Sequence, residues 1–264
     1  MIPIPDGASP RTQPLFTADG RRALMACAAE NVLLAFDYDG TLAPIVEDPV
    51  RVALRPRTKA LLRALARRYP VAVLSGRREL DVVHRVEGTG VWIATGHDAR
   101  WLDGSRPLDE IRADVASWER TASRALRVRH DIQIEPKEFA LALHYRQAVD
   151  EDEALRAISA AVGSLTGARL VFGHRVVNIM PFGTLSKAAV LTRIRRDFAC
   201  DTILYVGDDE EDEEVFRLTR ALPVLGVRVG ETRSTAARFW VPQQRDVDRL
   251  LRHLCALRRE VLPA

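Results

Sequence analysis

Residues 32–41 read Val32-Leu33-Leu34-Ala35-Phe36-Asp37-Tyr38-Asp39-Gly40-Thr41. The apolar run at their start predicts a short buried β-strand, and the polar residues follow where that strand ends. Side chains alternate along extended backbone, so Asp37 and Asp39 point to the same side, while Gly40 lets the chain turn away. Two carboxylates aimed at one point repel each other unless a cation or a reaction requires them. The stretch therefore predicts an acidic site at the carboxyl end of a strand.

Three more polar groups follow apolar runs or open a helical pattern. In chain order they are Ser75-Gly76-Arg77 after residues 71–74, Lys187 at the start of a helical pattern, and Gly207-Asp208-Asp209 after residues 203–206. Open α/β sheets bind ligands beyond the carboxyl ends of their strands, so we expect these groups to lie near Asp37. Taken singly, each also has a simpler interpretation as a turn, a solvated helix residue or a helix N-cap. The ordered set resembles the haloacid dehalogenase (HAD) superfamily of phosphohydrolases.

Lysine is rare in this chain, because only Lys59, Lys137 and Lys187 accompany the arginines among 39 basic residues. Lys59 lies in a surface-like helical pattern. Lys137 and Lys187 fall in motif-like segments, where a compact ammonium on a flexible stem has uses that a planar guanidinium does not. Lys187 and Lys137 are therefore candidates for a binding site.

Composition excludes several classes of function. The chain has 264 residues, a formal net charge of +3 and 47% hydrophobic residues. No apolar stretch approaches the length that crosses a bilayer, and nothing at the N-terminus marks the chain for export. The arginines are spread among acidic residues and form no basic block. We therefore expect a cytoplasmic enzyme with no membrane or nucleic-acid partner. A monomer or a weak dimer is a separate expectation, which does not follow from composition.

The order of predicted elements divides the chain into two parts. Both ends alternate strands and helices, which predicts a parallel sheet covered on both faces. The central part follows the order helix, hairpin, helix, hairpin, which predicts a small antiparallel sheet with helices on one face. The predicted fold is an α/β, Rossmann-like HAD core domain of residues 1–104 and 182–264, with residues 105–181 inserted as an α+β (αββαββ) cap domain.

The superfamily resemblance implies transfer of a phosphoryl group to an aspartate. A carboxylate is ionised at neutral pH, so Asp37 can attack phosphorus without a base. Asp39 can protonate the leaving oxygen and later accept a proton from the attacking water. An all-oxygen site made by Asp37, Asp208 and the main-chain carbonyl of Asp39 suits Mg²⁺ as cofactor, with Asp209 supporting it indirectly.

The transferring phosphoryl group also needs hydrogen-bond donors. The candidates are Ser75, the backbone around Gly40 and Gly76, and the ammonium group of Lys187. Preorganised donors aimed at developing charge usually contribute more to such catalysis than any other group. We therefore expect these four residues to bind phosphate.

The inserted segment points to the substrate. Glu135-Pro136-Lys137, followed by His144-Tyr145-Arg146, resembles the cap signature of the trehalose-6-phosphate phosphatases, in which an ExK turn and a following HYR strand occur. The resemblance covers nearly the whole chain from Phe16 onward. It implies a small-molecule sugar phosphate as substrate, and the expected substrate-binding residues are Arg77, His97, Glu135, Lys137, Arg146 and Asn178. For Arg146, an ion pair with Glu135 is equally compatible with the sequence.

Two segments depart from that family's pattern. Gly96-His97-Asp98-Ala99-Arg100 replaces a usual His-Gly-x-Glu string, and Asn178 stands where the family usually has a glutamate. Asparagine keeps an acceptor, loses the charge and adds donors. A related phosphorylated disaccharide or pseudo-disaccharide is therefore an alternative substrate. A non-catalytic sugar-phosphate sensor is a second alternative, and it would have no use for Asp39.

Overall fold

The computed structural model describes residues 12–46, 51–77, 79–95, 101–173, 175–232 and 234–261. These residues form two compact units, the first within Met1–Gly96 and Ser186–Ala264 and the second within His97–Leu185. No helix in the described ranges is long and apolar enough to cross a membrane. Each unit is built around its own sheet.

The first unit contains a seven-stranded sheet in which all neighbouring strands are parallel. In spatial order, and numbered along the chain, its strands are Gln13–Pro14 (β1), Phe239–Val241 (β11), Val224–Val229 (β10), Thr202–Gly207 (β9), Val32–Asp37 (β2), Val71–Ser75 (β3) and Trp92–Thr95 (β4). Its helices are Ala18–Ala29 (α1), Pro56–Ala66 (α2), Glu79–Val86 (α3), Lys187–Asp197 (α6), Asp212–Arg217 (α7) and Val247–Val261 (α8).

The central strands of this sheet form the core. Every residue of β2, β3 and β9 is buried, as expected for parallel strands covered on both faces. Helices α2 and α8 pack together over one face through Leu62, Leu65, Leu251 and Leu254, each at most 1% exposed. Burying one leucine side chain contributes about 2 kcal/mol, so this layer holds the strand ends in fixed positions.

The second unit contains a four-stranded antiparallel sheet. In spatial order its strands are Gln133–Pro136 (β5), Leu141–His144 (β6), Val176–Pro181 (β8) and Ala168–Gly173 (β7), and its helices are Leu108–Ala125 (α4) and Glu151–Val162 (α5). One face of the sheet packs Leu141, Leu143, Val177 and Ile179 into a buried cluster with both helices. The order of elements is αββαββ, so the predicted fold class is confirmed.

The sequence prediction assigned neither β1 nor α1. Strand β1 has two residues and shows no periodicity, and α1 carries a glycine and two consecutive arginines near its start. Thr17 caps α1 by accepting a hydrogen bond from the backbone N–H of Gly20. A Cβ atom on Gly20 would overlap the carbonyl oxygen of Leu15, so glycine is required there by close packing. Helix α1 also packs against α8, β2 and β9, and helical periodicity does not reveal these tertiary contacts.

Candidate active site

Four candidate side chains meet at one edge of the parallel sheet. Strands β9, β2 and β3 are parallel neighbours, so their carboxyl ends lie side by side. Asp37 ends β2, Ser75 ends β3 and Asp208 follows β9. Lys187 begins α6, where Ser186 caps the helix by accepting from the N–H of Ala189 at 3.4 Å. The strand ends and one helix start therefore bring together residues that are far apart in the chain.

Lys187 lies at the centre of this group and is 5% exposed. Its Nζ atom is 2.8 Å from Oδ1 of Asp37 and 2.9 Å from Oδ1 of Asp212. It is also 3.7 Å from Asp209 and 3.9 Å from Glu211. Burial alone would lower the pKa of Lys187, but Asp212 and Asp37 raise it well above its usual range. The ammonium group therefore stays charged.

Asp212 is the central acceptor of the site, and the sequence interpretation missed it. Its Oδ1 accepts from Lys187 and from the hydroxyl of Tyr205 at 2.6 Å. Its Oδ2 accepts from the backbone N–H groups of Asp208 at 2.8 Å and Asp209 at 3.0 Å. Burial opposes the charged form, yet Lys187 and these donors lower its pKa. Its spacing of four residues from Asp208, just before α7 begins, was the signal available in the sequence.

The turn after β2 lies directly against Asp208. Gly40 has φ +80°, and a Cβ atom there would overlap the Asp208 carboxylate. The buried Thr41 donates from its hydroxyl to Oδ1 of Asp208 at 2.9 Å. A left-handed conformation and a close contact both require glycine at position 40. The turn therefore orients the Asp208 carboxylate.

Asp39 is held by an arginine. Arg77 donates from Nε and Nη2 to the two carboxylate oxygens of Asp39, each at 2.7 Å. Ser75 is 1% exposed, and its hydroxyl accepts from the N–H of Arg77 at 3.2 Å. Gly76 lies between them, with open space where a Cβ would be. A bidentate pair of this kind fixes the orientation of both groups.

The cluster carries more negative charge than Lys187 can balance. Burial raises the pKa of Asp37 well above its usual range, and nearby carboxylates add to that rise although Lys187 opposes it. Burial likewise raises the pKa of Asp208 to about 6 and that of Asp209 to about 7. Because these neighbouring carboxyl groups have raised pKa values, all of them ionise only when a further cation binds beside them.

The donor atoms suit a hard metal ion. Carboxylate oxygens of Asp37, Asp208 and Asp212 lie within 4.8 Å of one another. Asp212 already accepts four hydrogen bonds and is fully buried, so its lone pairs are occupied. Asp37 and Asp208 are therefore the carboxylates best placed to hold an ion, and an oxygen-only set favours Mg²⁺, Ca²⁺ or Mn²⁺ over softer metals.

The expected sugar-binding residues lie mostly in the second unit. The register places Glu135 beside Ala142 and Ala142 beside Asn178, so Glu135 and Asn178 lie on one face of the sheet. The carboxylate of Glu135 is 2.8 Å from Nε2 of His144. Lys137 lies in the β5–β6 turn, where its N–H donates to the carbonyl of Ala140.

Two further sugar-binding candidates are Arg146 and His97. Arg146 is half-buried, and its carbonyl accepts from Arg175 at 3.2 Å. His97 and the departing segment 96–100 lie outside the described residues.

Comparisons with known proteins cover most of the chain. A family model described as trehalose-phosphatase matches residues 35–242. A trehalose-phosphate phosphatase of Mycobacterium avium is 34% identical over 80% of this chain and 59% of that relative. Another, from Mycobacterium bovis, is 30% identical over 96% of this chain and 67% of that relative. The chain thus spans 59% of the length of the first curated relatives that it matches.

Solved structures show the same fold. The C-terminal domain of Candida albicans trehalose-6-phosphate phosphatase superposes with a TM-score of 0.75 and 20% sequence identity. The match covers 94% of this chain and 99% of that domain. The α/β core with its inserted α+β unit is therefore a fold that this chain shares with that domain.

Proposed function

Because this chain belongs to the trehalose-phosphatase family, we propose that it hydrolyses trehalose 6-phosphate to trehalose and inorganic phosphate. One observation carries the proposal. The buried Asp37 carboxylate is 2.8 Å from the Lys187 ammonium, at the strand edge where Asp208 also lies. This is the arrangement that an aspartate nucleophile needs, because it is desolvated, oriented and beside a fixed positive charge.

The reaction has two halves. Lys187 contacts Oδ1 of Asp37, which leaves Oδ2 to attack phosphorus. A bond forms between this oxygen and phosphorus, the bond from phosphorus to the sugar oxygen breaks, and Asp39 supplies the proton that the leaving oxygen takes. Water then attacks phosphorus and loses a proton to Asp39, which releases phosphate and restores the Asp37 carboxylate. In the free chain both oxygens of Asp39 accept from Arg77, so one of these hydrogen bonds must open before Asp39 can carry the proton.

We assign Mg²⁺ as the cofactor, held by Asp37, Asp208 and the main-chain carbonyl of Asp39. When bound, Mg²⁺ supplies the positive charge that lets carboxylates and phosphate share one site. Asp209, 3.7 Å from Lys187, supports the cluster without a ligand role. The raised pKa values of Asp208 and Asp209 are consistent with this assignment.

Phosphate binding and sugar binding divide between different parts of the chain. The phosphate donors are Ser75, Lys187 and the backbone at Gly40 and Gly76. Residues 105–181 form the cap domain, and residues 1–104 and 182–264 form the core domain. The residues that recognise the substrate are Arg77, His97, Glu135, Lys137, Arg146 and Asn178. The protein works in the cytoplasm as a monomer or weak dimer, without nucleic-acid or membrane partners.

One observation favours a second candidate, the same chemistry on a related phosphorylated disaccharide or pseudo-disaccharide. Asn178 shares a face of the antiparallel sheet with Glu135, so the residue at position 178 changes the charge of that face. An amide donates to hydroxyl oxygens, which a carboxylate cannot do. A phosphorylated disaccharide with a different arrangement of hydroxyl groups would then bind with the same affinity as trehalose 6-phosphate.

Phosphate release from a substrate panel tests the proposal. The panel comprises trehalose 6-phosphate, sucrose 6-phosphate, glucose 6-phosphate and other disaccharide phosphates, each with Mg²⁺. Selective turnover of trehalose 6-phosphate is expected, and Asp37→Asn should abolish it while the fold is retained, because an amide is a poor nucleophile. Faster Asp37-dependent release from another sugar would establish the second candidate. Tight binding of trehalose 6-phosphate without release would instead indicate a sensor.

A further inference from the structure

Gln244 contacts the turn that follows β2. It lies in a short 3₁₀ helix, Gln244–Asp246, just before α8. Its amide Nε2 donates to the carbonyl of Thr41 at 3.0 Å and to the carbonyl of Leu42 at 2.8 Å. Its Oε1 accepts from Nη1 of Arg55 at 2.9 Å. Carbonyls only accept and a guanidinium only donates, so one orientation of the amide satisfies all three bonds.

The hydrogen bonds of Gln244 continue, through Arg55, to the packed helices α2 and α8. Arg55 occupies the N-cap position of α2, and its Nη2 lies 3.2 Å from Oδ2 of Asp248 in the first turn of α8. The buried Thr58 donates to Oδ1 of Asp248 at 2.7 Å. Helices α2 and α8 pack closely against each other. Gln244 therefore connects a rigid part of the core to the turn after β2.

The turn after β2 contacts Asp208 through the side chain of Thr41. Thr41 and Leu42 are fully buried, and the Thr41 hydroxyl donates to Oδ1 of Asp208 at 2.9 Å. Two bonds to adjacent carbonyls fix the backbone from which the Thr41 side chain projects. The direction of its hydroxyl, and hence the orientation of the Asp208 carboxylate, follows from that backbone.

We propose that Gln244 is a positioning residue for the metal-binding carboxylate of Asp208, acting through Thr41. The inference rests on the proposed function only in taking Asp208 as a metal ligand. Gln244 lies beyond residues 35–242, where the family match ends. Its contribution is preorganisation: a carboxylate already turned toward the ion loses less freedom when the ion binds.

The substitution Gln244→Glu removes the two hydrogen bonds to the turn after β2 and keeps the one to Arg55. Glutamate keeps an acceptor for Arg55 but has no donor for the carbonyls of Thr41 and Leu42. Gln243→Glu is the matched control, because Gln243 is the exposed neighbour and the change in charge is identical. Gln244→Met, which has a similar length and no hydrogen-bonding group of the same strength, serves as a second variant if the glutamate protein fails to fold.

The measurement is the dissociation constant for Mn²⁺, used as a spectroscopic probe of the magnesium site, in the absence of substrate. Free Mn²⁺ is counted by electron paramagnetic resonance, and the melting temperature of each metal-free variant is recorded beside it. We expect Gln244→Glu to weaken Mn²⁺ binding about fivefold, the effect of one ordinary hydrogen bond. Gln243→Glu should change the constant by less than about twofold, the size of a remote surface effect.

A double-mutant cycle with Thr41→Val tests the route. If Gln244 acts through the Thr41 hydroxyl, Gln244→Glu should weaken Mn²⁺ binding by less than about twofold once that hydroxyl is absent, because coupled effects do not add. An unchanged effect in the valine background, or equal effects of Gln243→Glu and Gln244→Glu, would overturn the proposal. Turnover of trehalose 6-phosphate by the unaltered protein tests the proposed function separately, because the metal affinity is measured in the absence of substrate.

Discussion

Among single side chains, Lys187 has the largest expected effect. Its ammonium group neutralises the buried carboxylates of Asp37 and Asp212. Lys187→Met would leave both carboxylates without their cation. Removing one partner from a buried ion pair costs about 3–5 kcal/mol, so we expect that loss in the free energy of unfolding together with loss of phosphatase activity. Urea denaturation followed by circular dichroism measures the first quantity.

The control for this variant is Lys59→Met. Lys59 is half-buried on α2, and the same substitution should change the unfolding free energy by no more than about 0.5 kcal/mol. If the two variants were equally stable, Lys187 would not be the charge on which the cluster depends.

Gly40 is the second residue with a specific steric requirement. A methyl group at Gly40 meets the Asp208 carboxylate, whereas one at Gly230, which has φ +88°, meets nothing within 4 Å. Gly230→Ala therefore measures the strain of a positive φ alone, about 1–2 kcal/mol. Gly40→Ala should cost more than this and should also weaken metal binding, because Asp208 must move. Equal stability and equal Mg²⁺ affinity in the two variants would contradict this role of the turn.

Among secondary-structure elements, α7 holds the segment between β10 and β11 through one side chain. Glu213 accepts from Arg228 at 3.1 Å, from the Thr235 hydroxyl at 2.6 Å and from the N–H of Ala236 at 2.8 Å. Glu213→Ala removes all three bonds and should cost about 2–3 kcal/mol. Hydrogen exchange of the Ala236 amide should become faster, because its acceptor is gone.

The exposed neighbour Glu214 provides the comparison. Glu214→Ala should leave the exchange rate of the Ala236 amide unchanged. Protection at Ala236 that persisted in Glu213→Ala would show that other contacts hold this segment.

For the whole molecule, the acidic cluster predicts a pH dependence that Mg²⁺ alters. The pKa of Asp208 is raised to about 6 and that of Asp209 to about 7, whereas both titrate near 4 in an unfolded chain. Between about pH 4 and 7 the folded state binds more protons, so the metal-free protein should lose stability as pH rises. Mg²⁺ binds the ionised carboxylates and competes with those protons, so its stabilising effect should grow with pH.

Melting temperatures at pH 5, 6, 7 and 8, with EDTA and with Mg²⁺, measure this effect. We expect a small Mg²⁺-induced increase at pH 5 and a larger one at pH 8, and Asp208→Asn should reduce the difference. An increase that did not depend on pH would mean that the metal binds elsewhere.

The fold followed from local patterns wherever those patterns were strong. Buried strands such as β2 and β9 are continuous apolar runs. Each of the two hairpins of the second unit joins strands that follow each other closely in the chain, β5 with β6 and β7 with β8. Helix α1 escaped prediction because its place depends on packing against α8, β2 and β9 and not on periodicity. In the site, Asp37, Lys187 and Asp208 could be chosen from their positions after strands or at a helix start. Thr41 and Gln244 could not, and for Asp212 the sequence offered only its spacing of four residues from Asp208.

The sequence by itself determined which segments become strands and helices, and which polar residues stand at their ends, because both depend on neighbours in the chain. The tertiary structure alone decided that Lys187 meets Asp37 across 150 residues, and that the same ammonium group also reaches Asp212 across 25 residues. Gln244 reaches the Thr41 carbonyl across 203 residues for the same reason. The charge state and orientation of each group depend on which strands lie side by side and how deeply they are buried. No local pattern encodes those two quantities, since they arise only when distant segments pack.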